Sequence, residues 1–153
     1  MLTRMLSIAA IASLLAVVAA GCARPSQVTV PVEVINASDI GAISFELVYD
    51  SSALEATKVV DVGFAKGASA GFNADTPGRL LVVVQNAPTM NGDNELVEVQ
   101  FDVLKDNGQA TLTLENIQAR VVTSGALLTP QTQPGSVQLD GSSYVSPQIV
   151  FGQ

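Results

Sequence analysis

In the stretch "ELVEVQFDVLKD" at 95–106, Val97, Val99, Phe101 and Val103 fall on one side of an extended chain, and Glu98, Gln100 and Asp102 fall on the other. That period of two marks a half-buried β-strand, because successive side chains leave a pleated backbone on opposite faces. The same pattern runs through "VTVPVEV" (Val28, Val30, Val32, Val34). It returns in "AISFELVYD", with Ile43, Phe45, Leu47 and Tyr49 on one face and Ser44, Glu46 and Val48 on the other. Further extended runs are "LEATKVVDVGF" from Leu54, "RLLVVVQNA" from Arg79 and "QATLTLENIQARVV" from Gln109, the last reading as two short strands split near Glu115-Asn116. A short piece at Leu127–Thr129 and "GSVQLD" at 135–140 close the series. Beyond the first twenty or so residues no stripe of helical period occurs. Many short strands between turns predict an all-β chain, a β-sandwich of jelly-roll topology with about nine strands.

Local chemistry refines this reading. Pro31 has no N–H to give a ladder, which predicts an edge position for its strand. "NASDIG" at 36–41 and "NGDN" at 91–94 read as turns, and "KGASAGFNADTPG" at 66–78 as a loop with one short extended piece around Phe72. Asn91, Asp93 and Asn94 form an oxygen-rich turn that could supply hard ligands to calcium; a plain polar turn is the simpler reading. The apolar run Leu80–Val84 suggests a strand buried on both faces, or one with a face awaiting a partner. After Asp140, the residues Tyr144, Val145, Ile149, Val150 and Phe151 make a tail that either adds a strand or frays.

The first 21 residues have a different character. Arg4 is followed by an uncharged apolar run that ends in Ala19-Ala20-Gly21, which predicts an export signal that is removed. Ala19-Ala20-Gly21-Cys22 resembles the bacterial lipobox, in which the cysteine becomes the acylated N-terminus. Cys22 is the single cysteine of the chain, so it has no partner for a disulfide within it. The resemblance implies lipid attachment at Cys22 and a protein exported and anchored to a bacterial membrane, facing the periplasm or the cell exterior. Several acyl chains would anchor it stably, at about 0.8 kcal/mol for each buried methylene. The expected organisation is a signal peptide at 1–21, a linker at 22–27, one domain at 28–140 and a tail at 141–153.

Composition excludes several functions. Lys and Arg number 7 against 14 Asp and Glu, for a net charge of −7, which argues against nucleic acid as a partner, since that affinity comes from cations neutralising phosphates. It argues equally against electrostatic adhesion to anionic lipid. No histidine is present, so there is no ordinary catalytic triad and no His-based metal site. Paired carboxylates could still hydrolyse glycosides, but the acids here sit singly on alternating strand positions. The expectation is a binding module: no enzyme, no catalytic residue, no metal and no cofactor.

In order along the chain, "VTVPVEV", "GAISFELVYDSSALEATKV" with its Tyr49-Asp50 and Leu54-Glu55, "NGDNELVEVQFDVL" and "ATLTLENIQARVV...GSVQL" resemble the cohesin family, covering about residues 27–140. That resemblance implies a jelly-roll module that receives a dockerin, a module needing calcium to fold, on one flat sheet face. The best-known class carries an Asn and an Asp on the strand matching Ala42–Tyr49. This chain has Ala42 and Ser44 there, which removes those polar contacts. The face expected to bind a partner comprises Ala42, Ser44, Glu46, Val48, Arg79, Leu80, Val82 and Val84. A slip of one residue in the register of the second strand would exchange its two faces.

Two other readings stand beside a membrane-tethered, dockerin-binding module. The shared fold includes carbohydrate-binding modules, which makes polysaccharide an alternative partner and polysaccharide breakdown a setting. Such modules need aromatic rings to stack on sugars, and of five Phe and two Tyr only Phe64, Phe72, Tyr144 and Phe151 are free of the core pattern. The third reading is a structural envelope lipoprotein.

Overall fold

The computed structural model describes residues 27–85 and 87–152. Their strands run β1 (Gln27–Val48), β2 (Leu54–Asp61), β3 (Ser69–Thr76), β4 (Arg79–Gln85), β5 (Met90–Val103) and β6 (Gln109–Val121). There follow β7 (Leu127–Leu128), β8 (Gln131–Gln133), β9 (Gly135–Gln138), β10 (Tyr144–Val145) and β11 (Gln148–Val150), with one 3-10 turn at Gly63–Ala65. The fold is all-β, a curled sandwich of jelly-roll type with eleven strands rather than about nine.

The 22-residue β1 organises the molecule. Its first half pairs antiparallel with β5, from Gln27↔Asp102 to Ile40↔Met90. Its second half pairs with β4 on one side and β6 on the other. One sheet is therefore β2-β5-β1-β11-β8, the other β3-β4-β1-β6-β9-β10, with β7 also on β6. The strand passes between them at 36–40, where the sequence predicted a turn. Asn36 and Asp39 take left-handed φ of 57° there, and the pairing with β5 shifts register. Short polar side chains tolerate that conformation best. Side chains from the predicted turn at 91–94, which is in fact the start of β5, fix the crossing: Asp93 Oδ1 accepts from the Asn36 amide at 2.7 Å and Asn91 Oδ1 from the Asp39 amide at 2.9 Å. Their oxygens thus serve β1's backbone.

Alternation determines the core. Val30, Val32 and Val34 from the first half of β1 and Ile43, Phe45 and Leu47 from the second are all buried, in one core with Val97, Val99 and Phe101 of β5. Tyr49 meets Phe101 edge to face, ring centroids 5.2 Å apart at 73°, a favoured aromatic geometry. No polar or charged side chain is buried among the described residues, so the core is held by apolar packing alone.

Pro31 lies on a central strand, not an edge one. The chain accommodates it because β11 pairs only with Glu33–Ile35, leaving no strand bonded on the second side of Pro31. The segment after Asp140 takes the first of the two fates open to it. Tyr144–Val145 pairs with β9, Gln148–Val150 inserts parallel to β1, and Ile149 and Phe151 are buried. "QATLTLENIQARV" is one strand, not two: Asn116 (φ 50°) makes a bulge at the expected break and pairing resumes beyond it.

Candidate docking face

The site lies on the outer face of the second sheet. In the antiparallel pairing of β1 with β4, Ser44 faces Val83, Glu46 faces Leu81 and Val48 faces Arg79. Directly opposed residues share a face, so Leu81, Val83 and Arg79 point outward beside Ser44, Glu46 and Val48. Leu80, Val82 and Val84 oppose Leu47, Phe45 and Ile43 and are fully buried. The expectation that Leu80, Val82 and Val84 line the partner-binding face is therefore corrected: β4 is offset by one residue, which exchanges its faces. The unbroken run "LLVVV" carries no polar residue to mark the outer side. Ala42, Ser44, Glu46, Val48 and Arg79 do share the outer face.

β6 and β3 complete it. Arg120 opposes Ala42, Gln118 opposes Ser44, Glu115 opposes Glu46 and Thr113 opposes Val48. The bulge at Asn116 keeps both Glu115 and Gln118 outward although their spacing is odd. On the far side, Gly71 opposes Val83 and Asn73 opposes Leu81. The sequence reading missed the β6 residues. An asparagine breaking the alternation of "TLTLENIQARV" is the signal that would have found them.

Across one end of the face runs an ion cluster. The Arg79 guanidinium donates from Nη1 to Glu46 Oε2 and from Nη2 to Glu115 Oε2 at 3.1 Å, joining three adjacent strands. The bond to Glu46, then that to Glu115, raises the arginine's pKa above its ordinary value. Because the pairs are exposed, they order the surface more than they stabilise the fold. Beside them Leu81 is 42% exposed, an apolar side chain left to solvent.

At the other end the face falls into an open depression of about 680 Å³. Ala42 and Ser44 form its floor, Val83 and Gln85 one wall, Gln118 and Arg120 the other, with Val122 and Leu127 at its end. The depression exists because its floor residues are short. Gly41 permits the close packing at its end: a Cβ there would come within 2.7 Å of Val122 Cγ2. Val122 is in turn fixed by its backbone N–H, which donates a hydrogen bond to Asp39 O at 2.7 Å, and the Thr123 amide and hydroxyl donate to Asp39 Oδ2. The Thr123 hydroxyl and then its amide hold the Asp39 carboxyl below its usual pKa. The residue that turns β1 between sheets thus also holds the end of the hollow.

The outer face of the first sheet differs. Gln27 donates to Asp102 at 2.8 Å and accepts from Gln100 at 2.8 Å, and Gln148 donates to Glu33 at 2.9 Å. Among the described residues there is no group of His, Cys, Asp and Glu side chains placed to hold a metal ion.

A family model described as the cohesin domain matches residues 17–139. Among solved structures the chain is similar to a non-cellulosomal cohesin from the archaeon Archaeoglobus fulgidus, with 21% identity and a TM-score of 0.65, covering 84% of this chain and 83% of that one. It is also similar to a type I cohesin–dockerin complex from Clostridium thermocellum (17% identity, TM-score 0.64, 84% and 92% covered). A third is the sixth cohesin of scaffoldin B from Acetivibrio cellulolyticus, solved in complex with a dockerin (17% identity, TM-score 0.62, 84% and 89% covered). No curated protein matches the sequence.

Proposed function

This chain belongs to the cohesin domain family, and we propose that it is a non-catalytic, membrane-tethered module that captures a dockerin-like protein on the outer face of β3, β4, the second half of β1 and β6. The observation that carries this reading is the contrast between the two outer faces. One has its polar side chains bonded to one another, Gln27 with Asp102 and Gln100, and Glu33 with Gln148. The other holds exposed Leu81, an ordered ion cluster and a hollow floored by Ala42 and Ser44. An ordered, partly apolar face with a concavity suits a docked helix. The hollow is lined by no aromatic ring on which a sugar could stack, which favours a protein over polysaccharide.

The tether is the acylated Cys22, with residues 1–21 removed as a signal peptide; both lie outside the described residues. Support comes from the lipobox-like Ala19-Ala20-Gly21-Cys22 and from the single cysteine. From Cys22 only four residues lead to Gln27, where β1 starts. The hollow opens after β1 has crossed at 36–40, at the opposite end of the sandwich from Gln27. A partner would therefore reach the hollow from the side away from the membrane. In this arrangement the protein displays a dockerin-bearing partner at the cell surface or in the periplasm, in a setting such as polysaccharide breakdown.

The test is a binding titration of the full chain in detergent micelles against dockerin modules encoded in the same genome, with calcium and with a chelator. Saturable binding with calcium and its loss with chelator is the expected result. Failure of every such module to bind, with retention of the chain by insoluble polysaccharide, would overturn it in favour of the sugar-binding alternative.

A further inference from the structure

Resting on that docking reading and deepening it, we infer that the partner presents a large apolar side chain with an Asp or Glu one helical turn away. The apolar group enters the hollow over Ala42 and Ser44, and the carboxylate pairs with Arg120.

The two arginines of this face are in opposite situations. Arg79 is held by two carboxylates. Arg120 stands exposed on the wall of the hollow, directly across from Ala42, and no carboxylate pairs with it among the described residues. In a chain of net charge −7 an incoming carboxylate meets repulsion over most of the surface. At Arg120 it meets a free guanidinium, whose forked donors suit carboxylates. The hollow beside it sets Val83, Val122 and Leu127 among the polar Ser44, Gln85 and Gln118, so an apolar group entering it finds aliphatic surface to pack against.

The spacings agree. Opposed residues such as Ala42 and Arg120 have Cβ atoms about 4.5–5.5 Å apart, and residues three or four apart on a helix have theirs about 5–6 Å apart. One turn of a partner helix therefore spans both features. Register is enforced by repulsion as well: four residues along β1, roughly 13 Å away, the misplaced carboxylate would face Glu46 and Glu115, which share one arginine.

The experiment uses the full chain in detergent micelles and a yeast-displayed library of calcium-loaded dockerin modules randomised at their exposed helix positions. Selected binders are titrated against the wild type, Arg120→Glu, Arg120→Lys and Ala42→Trp, each verified by thermal melting. The expected binders pair an aromatic or Leu with Asp or Glu three or four residues away. They lose at least tenfold in affinity on Arg120→Glu and less on Arg120→Lys, and they recover on Arg120→Glu when their own acid is changed to Arg. Binders that are blocked by Ala42→Trp yet indifferent to the charge at 120 would overturn this inference and leave the docking reading standing. Binders indifferent to both substitutions, or a library that yields none, would overturn the docking reading itself.

Discussion

The two halves of β1 are one continuous strand of one period, yet their outward side chains do different things. Gln27, Thr29 and Glu33 face outward from the first sheet, with Pro31 buried between them, and Gln27 and Glu33 are bonded to Asp102, Gln100 and Gln148. Ala42, Ser44, Glu46 and Val48 face outward from the second, where Glu46 alone is engaged and the short residues leave a hollow. Alternation decides which side chains leave the core. What the outward set can do is decided by size, and by whether neighbouring strands already use its polar groups.

The largest effect is expected where inside and outside are separated by one residue of β4. Leu80→Ala removes a fully buried side chain and should destabilise the fold by about 2–5 kcal/mol. Leu81→Ala, one residue on, should stay within about 0.5 kcal/mol and weaken partner binding instead. Thermal and denaturant unfolding read the first effect and titration with a dockerin module the second. The reverse ordering, with Leu81→Ala the more destabilising, would place β4 in the other register.

A smaller effect should appear at the crossing between the halves. The native Asp39 carboxyl is held below its usual pKa by Thr123, so it favours the folded state fully above the unfolded value of about 3.9. That contribution should disappear as pH falls through the lower folded pKa. Asp39→Asn keeps a residue that tolerates left-handed φ but cannot ionise, and should flatten the acid limb of the stability-against-pH curve below about pH 4. An unchanged limb would mean that the bonds from Thr123 do not set the titration. Asp50, lowered by Ser52 and then by Lys105, contributes with the same sign, so the limb should be reduced and not abolished.

The smallest expected effect on stability is at the ion cluster. Arg79→Ala frees Glu46 and Glu115 to repel each other, but all three are solvent-accessible. The melting temperature should change little, with any loss narrowing at high salt, while affinity for a dockerin module should fall.

Much of this was legible because the chain states its period plainly. "AISFELVYD" gave its buried and exposed faces correctly, and so did "ELVEVQFDV" from Val97 onward. "RLLVVVQ" did not, since five successive apolar residues fit either register and only pairing with β1 selects one. The crossing at 36–40 looked like a turn because Asn and Asp favour left-handed backbone in turns and bulges alike. Pro31 was misplaced because a proline's missing donor matters only where a second strand lies alongside, and that depends on β11 at the far end of the sequence. Arg120 could not be found by alternation alone: the bulge at Asn116 resets the parity between Glu115 and Gln118.

The central claim, that the second half of β1 and its neighbours form the partner surface, is tested most directly by one matched pair of substitutions. Ala42→Trp and Thr29→Trp each place an indole on an outward position of the same strand, one in each sheet. Affinity for a calcium-loaded dockerin module is then measured by titration of each variant. Ala42→Trp should fill the hollow and lower affinity at least tenfold, while Thr29→Trp should leave it unchanged. Loss of binding with Thr29→Trp and not with Ala42→Trp would contradict that claim.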